Sequence, residues 1–175
     1  MSGEPGMEAD WRAALGRQFG AAIEMLENAL LACPDDLWDD PAQQPGFWYV
    51  AYHTLFWLDL YLSDSLAGFA PPEPFTLDEL DPAGLIPERP YPKATLHAYL
   101  EHGRRKCRER LEALTEEAAR RRCGFEWLDL SVAELQLYSL RHVQHHAAQL
   151  NLMLRQRTGA APRWVKRAAL REEDA

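Results

Sequence analysis

No stretch of this 175-residue chain approaches the roughly 18–20 uninterrupted apolar residues that a membrane-spanning helix needs. Even the greasiest run, FWYVAYHTLFWLDLYL, carries His53 and Asp59. The opening MSGEPGMEADW has neither a basic n-region nor an apolar h-region, so it does not read as a secretory signal. A cytoplasmic location with no membrane partner is the expectation. Cysteine is scarce: Cys33, Cys107 and Cys123 are odd in number and form no C-x-x-C pair. That spacing excludes a disulfide framework and a zinc knuckle, and leaves free, mostly buried thiols. Internal repeats and low-complexity runs are absent too. Basic side chains are rare in the first half, where residues 1–90 hold 3 against 16 acidic ones, while residues 91–175 hold 16 against 11. No fingerprint of a nucleic-acid recognition fold accompanies the basic half, so nucleic acid is not an expected partner. Acidic and basic helices lying side by side are the plainer reading of this asymmetry.

What is present fits one globular domain, with 47% hydrophobic and 26% charged residues. Residues 1–9 read as a flexible lead, 10–158 as an all-α four-helix bundle, and 159–175 as a tail that packs Trp164 and then frays. The first helix is predicted from about Asp10 to Cys33, with Trp11, Leu15, Phe19, Ala22, Leu26 and Leu30 at three- and four-residue steps. It stops where Pro34 disfavours helical geometry in the residue before it. The second, about Phe47 to Gly68, is apolar on nearly every side, so it must be fully covered; a second subunit could supply that cover, making a homodimer the expectation. Six prolines between Phe69 and Tyr91 mark a long connection between the second and third helices, of a length that is often functional. The third helix, about Pro92 to Arg122, has Leu96, Leu100, Gly103, Cys107, Leu111 and Leu114 as its seam. The fourth opens on a capping box, Ser131 with Glu134, and ends before Gly159.

Projected at 100° per residue, Leu135, Tyr138, Ser139, His142, His146, Gln149 and Met153 of the fourth helix share one stripe. His142 and His146 are one turn apart on that stripe, a spacing that lets both imidazoles reach one ion at about 2.0–2.1 Å. A bare H-x-x-x-H more often marks ordinary core and helix-end histidines. The third histidine shifts the balance, because His53 sits on the fully covered second helix in line with Tyr49, Phe56 and Leu60. A pair on one helix plus a single on another gives three ligands and an open position, and facing helices of a bundle are where such sites form. His145 projects about 60° to the side and is the weaker candidate. His97 and His102 fall off the seam of the third helix and read as surface residues, while Asp59 and Asp64 read as solvated or interface carboxylates. Tyr138 and Gln149 are the candidate groups behind the ligands. No catalytic side chain is assigned.

These residues resemble the DinB-like bundles, also called YfiT-like metal-dependent hydrolases. The resemblance runs from about Trp11 to Arg157 and is most specific in LRHVQHHAAQLNLMLRQ and in the single histidine of AYHTLFWLDLYL. It implies one metal ligand on the second helix, His53, a pair on the fourth, His142 and His146, and a homodimer. It also implies activities similar to thiol S-transferases using low-molecular-weight thiols, a maleylpyruvate isomerase and proposed hydrolases. Zinc is the first expectation for the ion and nickel the second, since three imidazoles suit several metals. The reading from another class is a dimeric stress or binding module with a structural or vestigial metal; a fourth protein ligand on the ion would favour it.

Overall fold

The computed structural model describes residues 7–168. Its elements are α1 (Met7–Ala32), the short α2 (Asp35–Trp38), α3 (Phe47–Tyr61), a 3-10 turn (Asp78–Leu80), α4 (Lys93–Glu112), the short α5 (Glu116–Arg120) and α6 (Val132–Thr158). Helices α4 and α6 each pack against both α1 and α3, which makes the four-helix bundle. The expected lead lies mostly at residues 1–6, outside the described residues; helix begins at Met7. The expected fraying of the last residues falls on 169–175, also outside them.

The apolar seams place the core as their spacing predicts. Leu15, Phe19, Ala22, Leu26 and Leu30 of α1 share one buried core with Leu96, Leu100, Cys107 and Leu111 of α4. Trp11 is the exception at 46% exposed. Gly103 lets α4 come close to α3: a Cβ there would lie 2.9 Å from Leu58 Cδ2. Opposite charges lie across helix boundaries as expected, with Arg104 on Glu27 at 2.6 Å between α4 and α1, and Arg110 paired with Asp64 beyond the end of α3. No helix among the described residues is long and apolar enough to cross a membrane.

Two helices end earlier than the periodicity predicts. Helix α3 stops at Tyr61 rather than near Gly68, since Asp64 adopts a left-handed φ of 61° and the chain swings out to pair with Gly124, whose N–H donates to the Asp64 carbonyl at 2.7 Å. Helix α4 stops at Glu112 rather than Arg122, and Thr115 starts α5 by accepting from the Ala118 N–H at 3.2 Å. A hydroxyl at that position competes with the helix it interrupts. The capping box of α6 is formed in both directions, and Gly159 closes the helix at a left-handed φ of 78°.

Twelve of the fifteen residues of α3 are buried within one chain. The cover comes partly from the proline-rich connection, whose Phe75 stacks on Tyr99 and Tyr52 with centroids 4.1 and 5.7 Å away. The apolar surface of α3 therefore gives no call for a second subunit. Trp164 is also placed otherwise than expected, at 65% exposed; the tail is instead held on α1 by Ala168 N–H donating to the Arg17 carbonyl at 3.1 Å.

Candidate metal centre

Helix α6 has its buried seam at Leu135, Ser139, Val143, Ala147, Leu150 and Leu154, wedged between α1 and α3. His142 and His146 flank that seam on the α3 side and are half-buried, so the stripe predicted for α6 is turned by part of a step: Ser139 is fully covered, while Gln149 and Tyr138 reach solvent. The aromatic and aliphatic residues of α3 put His53 opposite the pair. One nitrogen from each of the three rings lies within 4.8 Å of the others, and no fourth His, Cys, Asp or Glu joins this group among the described residues. His142 Nε2 and His146 Nε2 face each other at 3.0 Å. Two ligands held about 2.0–2.1 Å from one tetrahedral ion are about 3.3 Å apart, so the pair needs only a small separation to accept one.

Hydrogen bonds fix how two of the rings present themselves. His53 Nδ1–H donates to Glu79 Oε2 at 2.7 Å, and His146 Nδ1–H donates to Gln149 Oε1 at 2.6 Å. Such bonds turn Nε2 of both rings toward the point where the three imidazoles converge, an orientation characteristic of metal-bound histidine. His142 Nδ1 is buried with no hydrogen-bond partner, which a core histidine rarely tolerates. Burial, reinforced by His146, His53 and His145, lowers the pKa of His142 to about 3. Burial likewise lowers His146 to about 4, with Gln149 pulling the other way and His53 and His145 adding to the fall. Both rings are thus neutral at neutral pH, the form in which imidazole ligates a cation.

Among the residues weighed from sequence, Gln149 meets His146 directly despite being exposed. Tyr138 stands one ring further out: its centroid is 5.4 Å from Tyr61, and Tyr61 stands edge-on to His142 at 6.3 Å. His145 points outward from α6. His97 and His102 are half-buried rather than freely exposed, on Glu27 at 3.5 Å and Asp59 at 3.1 Å. Asp59 is neither solvated nor at a surface, being 1% exposed and bound by Tyr99, His102 and Lys106. Glu27, His97 and Glu101 form a second group with ligand-like spacing, but Arg104 already bridges the two carboxylates.

Sequence reasoning missed Glu79 and Trp57. Trp57 Nε1–H donates to the same Glu79 Oε2 at 3.2 Å, and the carboxylate arrives from the 3-10 turn of the connection, 26 residues from His53. No helical spacing could have joined them; the one available signal was an acid set among apolar Phe75, Leu77 and Leu80 in a connection too long to be idle.

No curated protein and no solved structure gave a significant match to this chain. The family model of the DinB superfamily matches residues 18–150, a span that holds all three histidines, α3 and most of α6. With the bundle and the facing imidazoles in place, that match over well more than half of its length makes this chain a member of the DinB superfamily.

Proposed function

We propose that the protein is a divalent-metal-dependent enzyme acting on a small molecule, by thiol S-transfer or hydrolysis, with the ion on His53, His142 and His146. The observation that carries this reading is a set of three imidazole nitrogens within 4.8 Å of one another, with no fourth ligand among the described residues. Catalytic zinc sites keep a position open where structural ones close it with a fourth side chain, which weighs against a purely structural metal. A cation held there supplies Lewis acidity, lowering the pKa of a water or thiol taken up from solution. Zinc is the favoured ion and nickel the next.

The nucleophile comes from outside the chain in this reading. Burial pushes the Cys33 and Cys107 thiols up to about 12, and Cys123 is buried as well, so a low-molecular-weight thiol or water fits the role better. A cleft of about 600 Å³, lined by Tyr138, Arg141, His142, His145 and Trp164 among others, meets the three histidines at His142 alone and has the size of a small-molecule site. Its aromatic walls and cationic rim favour a substrate with an apolar body and an anionic group. A homodimer belongs to the same reading and would use the exposed Leu137 and Leu152 of α6 rather than α3. A cytoplasmic setting would keep the three thiols reduced.

The test starts from protein purified without affinity tag or added metal. Metal analysis is expected to give close to one ion per chain, and the loaded protein should speed consumption of a low-molecular-weight thiol by an electrophile, or hydrolysis of an ester or amide, over the chelated protein. Equal rates with and without the ion across both reaction types would overturn the enzymatic reading.

A further inference from the structure

The acid that holds His53 belongs to the connection and not to the bundle. The Glu79 side chain is 3% exposed, its Oε2 accepts from His53 Nδ1 and Trp57 Nε1, and the Tyr49 hydroxyl stands against the same carboxylate. A carboxylate in such a place is costly unless its donors stay in position. Four residues earlier Phe75 is clamped between Tyr99 and Tyr52, so the turn is seated by one ring and one carboxylate. We infer that Glu79 is a positioning residue: it holds His53 as the Nδ1–H tautomer, and through that bond it ties the seating of the proline-rich connection to metal loading at the triad. The coupling to metal rests on the function proposed above; the control of the tautomer does not.

The physical chain is short. A neutral imidazole can carry its proton on either nitrogen, and a carboxylate at Nδ1 selects the form whose Nε2 lone pair is free toward His142 and His146. A cation on Nε2 withdraws electron density from the ring and makes Nδ1–H a stronger donor to Glu79, while the carboxylate makes Nε2 a better ligand. Such coupling is reciprocal: whatever seats the turn tightens metal binding, and metal binding seats the turn by the same factor. Trp57 supplies the second donor that keeps Glu79 oriented. Opening of the connection at this turn would then loosen the ion.

The experiment uses full-length Glu79→Gln and Glu79→Leu, with Glu73→Gln, an exposed acid of the same connection, as the control. Melting curves establish that each variant folds, and Glu79→Gln keeps the question open should the leucine variant not fold. In metal-stripped protein, long-range proton–nitrogen NMR correlations of the imidazoles are expected to show His53 protonated at Nδ1 in the parent chain and shifted toward Nε2–H in Glu79→Leu. Zinc affinity, measured against a chromophoric chelator, is expected to fall about 10–100-fold in Glu79→Leu, less in Glu79→Gln, and not in the control. Zinc should also slow hydrogen exchange at the Leu80 and Asp81 amides, which are bonded within the turn, in the parent but not in Glu79→Leu. An unchanged His53 tautomer in both variants, or undiminished zinc affinity in both, would overturn the inference. Should the parent chain bind no zinc while the tautomer still follows Glu79, the metal coupling falls with the proposed function and the positioning role stands.

Discussion

Helix α3 carries two buried polar clusters, and they are built in opposite ways. Around Asp59 the charges are matched and closed: Oδ1 receives His102 at 3.1 Å and Lys106 at 2.5 Å, Oδ2 receives Tyr99 at 3.1 Å, and Lys106 also binds the Asp59 carbonyl and Ser63. Around His53, six residues earlier, three imidazoles converge, His142 and His146 meeting Nε2 to Nε2 at 3.0 Å, and His142 Nδ1 lies buried with no hydrogen-bond partner. The first cluster joins α3 to α4; the second faces α6 and the connection. A polar cluster that satisfies itself serves stability, whereas one that leaves donors and acceptors unmatched is prepared for something from outside.

The sharpest way to break this comparison is to remove one of the three converging imidazoles. His146→Ala is expected to drop metal content well below one ion per chain while leaving the Asp59 cluster untouched; unchanged stoichiometry by metal analysis would end the distinction between the two clusters. The opposite outcome is expected for Asp59→Ala, which leaves the Lys106 ammonium without its buried partner. Breaking a buried pair costs about 3–5 kcal/mol, and because solvent reaches Lys106 and His102 we expect about 2–4 kcal/mol here. Denaturant melts should show that loss together with near-normal metal content. The smallest effect expected is on pH dependence in metal-stripped protein. His142 and His146 titrate near 6.5 when unfolded but are lowered to about 3 and 4 when folded. Below about pH 6.5 the unfolded chain therefore binds protons that the folded chain refuses, so this stability is full above pH 6.5 and is lost as pH falls toward 4. With solvent access to His146 discounted, the loss is on the order of 1 kcal/mol per ring at pH 5, and replacing His142 with Gln should flatten that limb of the stability profile.

The pair on α6 was legible because it rests on a local rule, whereas the approach of His53 from a distant helix was an expectation that only packing could meet. Four-residue spacing puts His142 and His146 on one side of any helix, and the largely apolar character of α3 marked His53 as part of a covered helix. Ser131, Glu134 and Gly159 fixed the ends of α6 by the same kind of short-range chemistry. Asp59 was misread because its partners come from α4, 40 to 47 residues later, and a carboxylate on an apolar helix carries no sign of which cations will reach it. Trp164 was misread because an aromatic side chain in a tail does not reveal whether the core has room for it.

Periodicity and capping, which act within one or two turns, are properties of the chain itself, and they determined the bundle, its buried seams and the facing pair on α6. Everything that depends on segments distant in sequence was decided only by folding: the early ends of α3 and α4, the self-sufficient cover over α3, the closed Asp59 cluster, and the arrival of Glu79 behind His53. The physical reason is reach, since backbone geometry fixes which side chains share a helix face, but only packing fixes which of two faces, many residues apart, will meet.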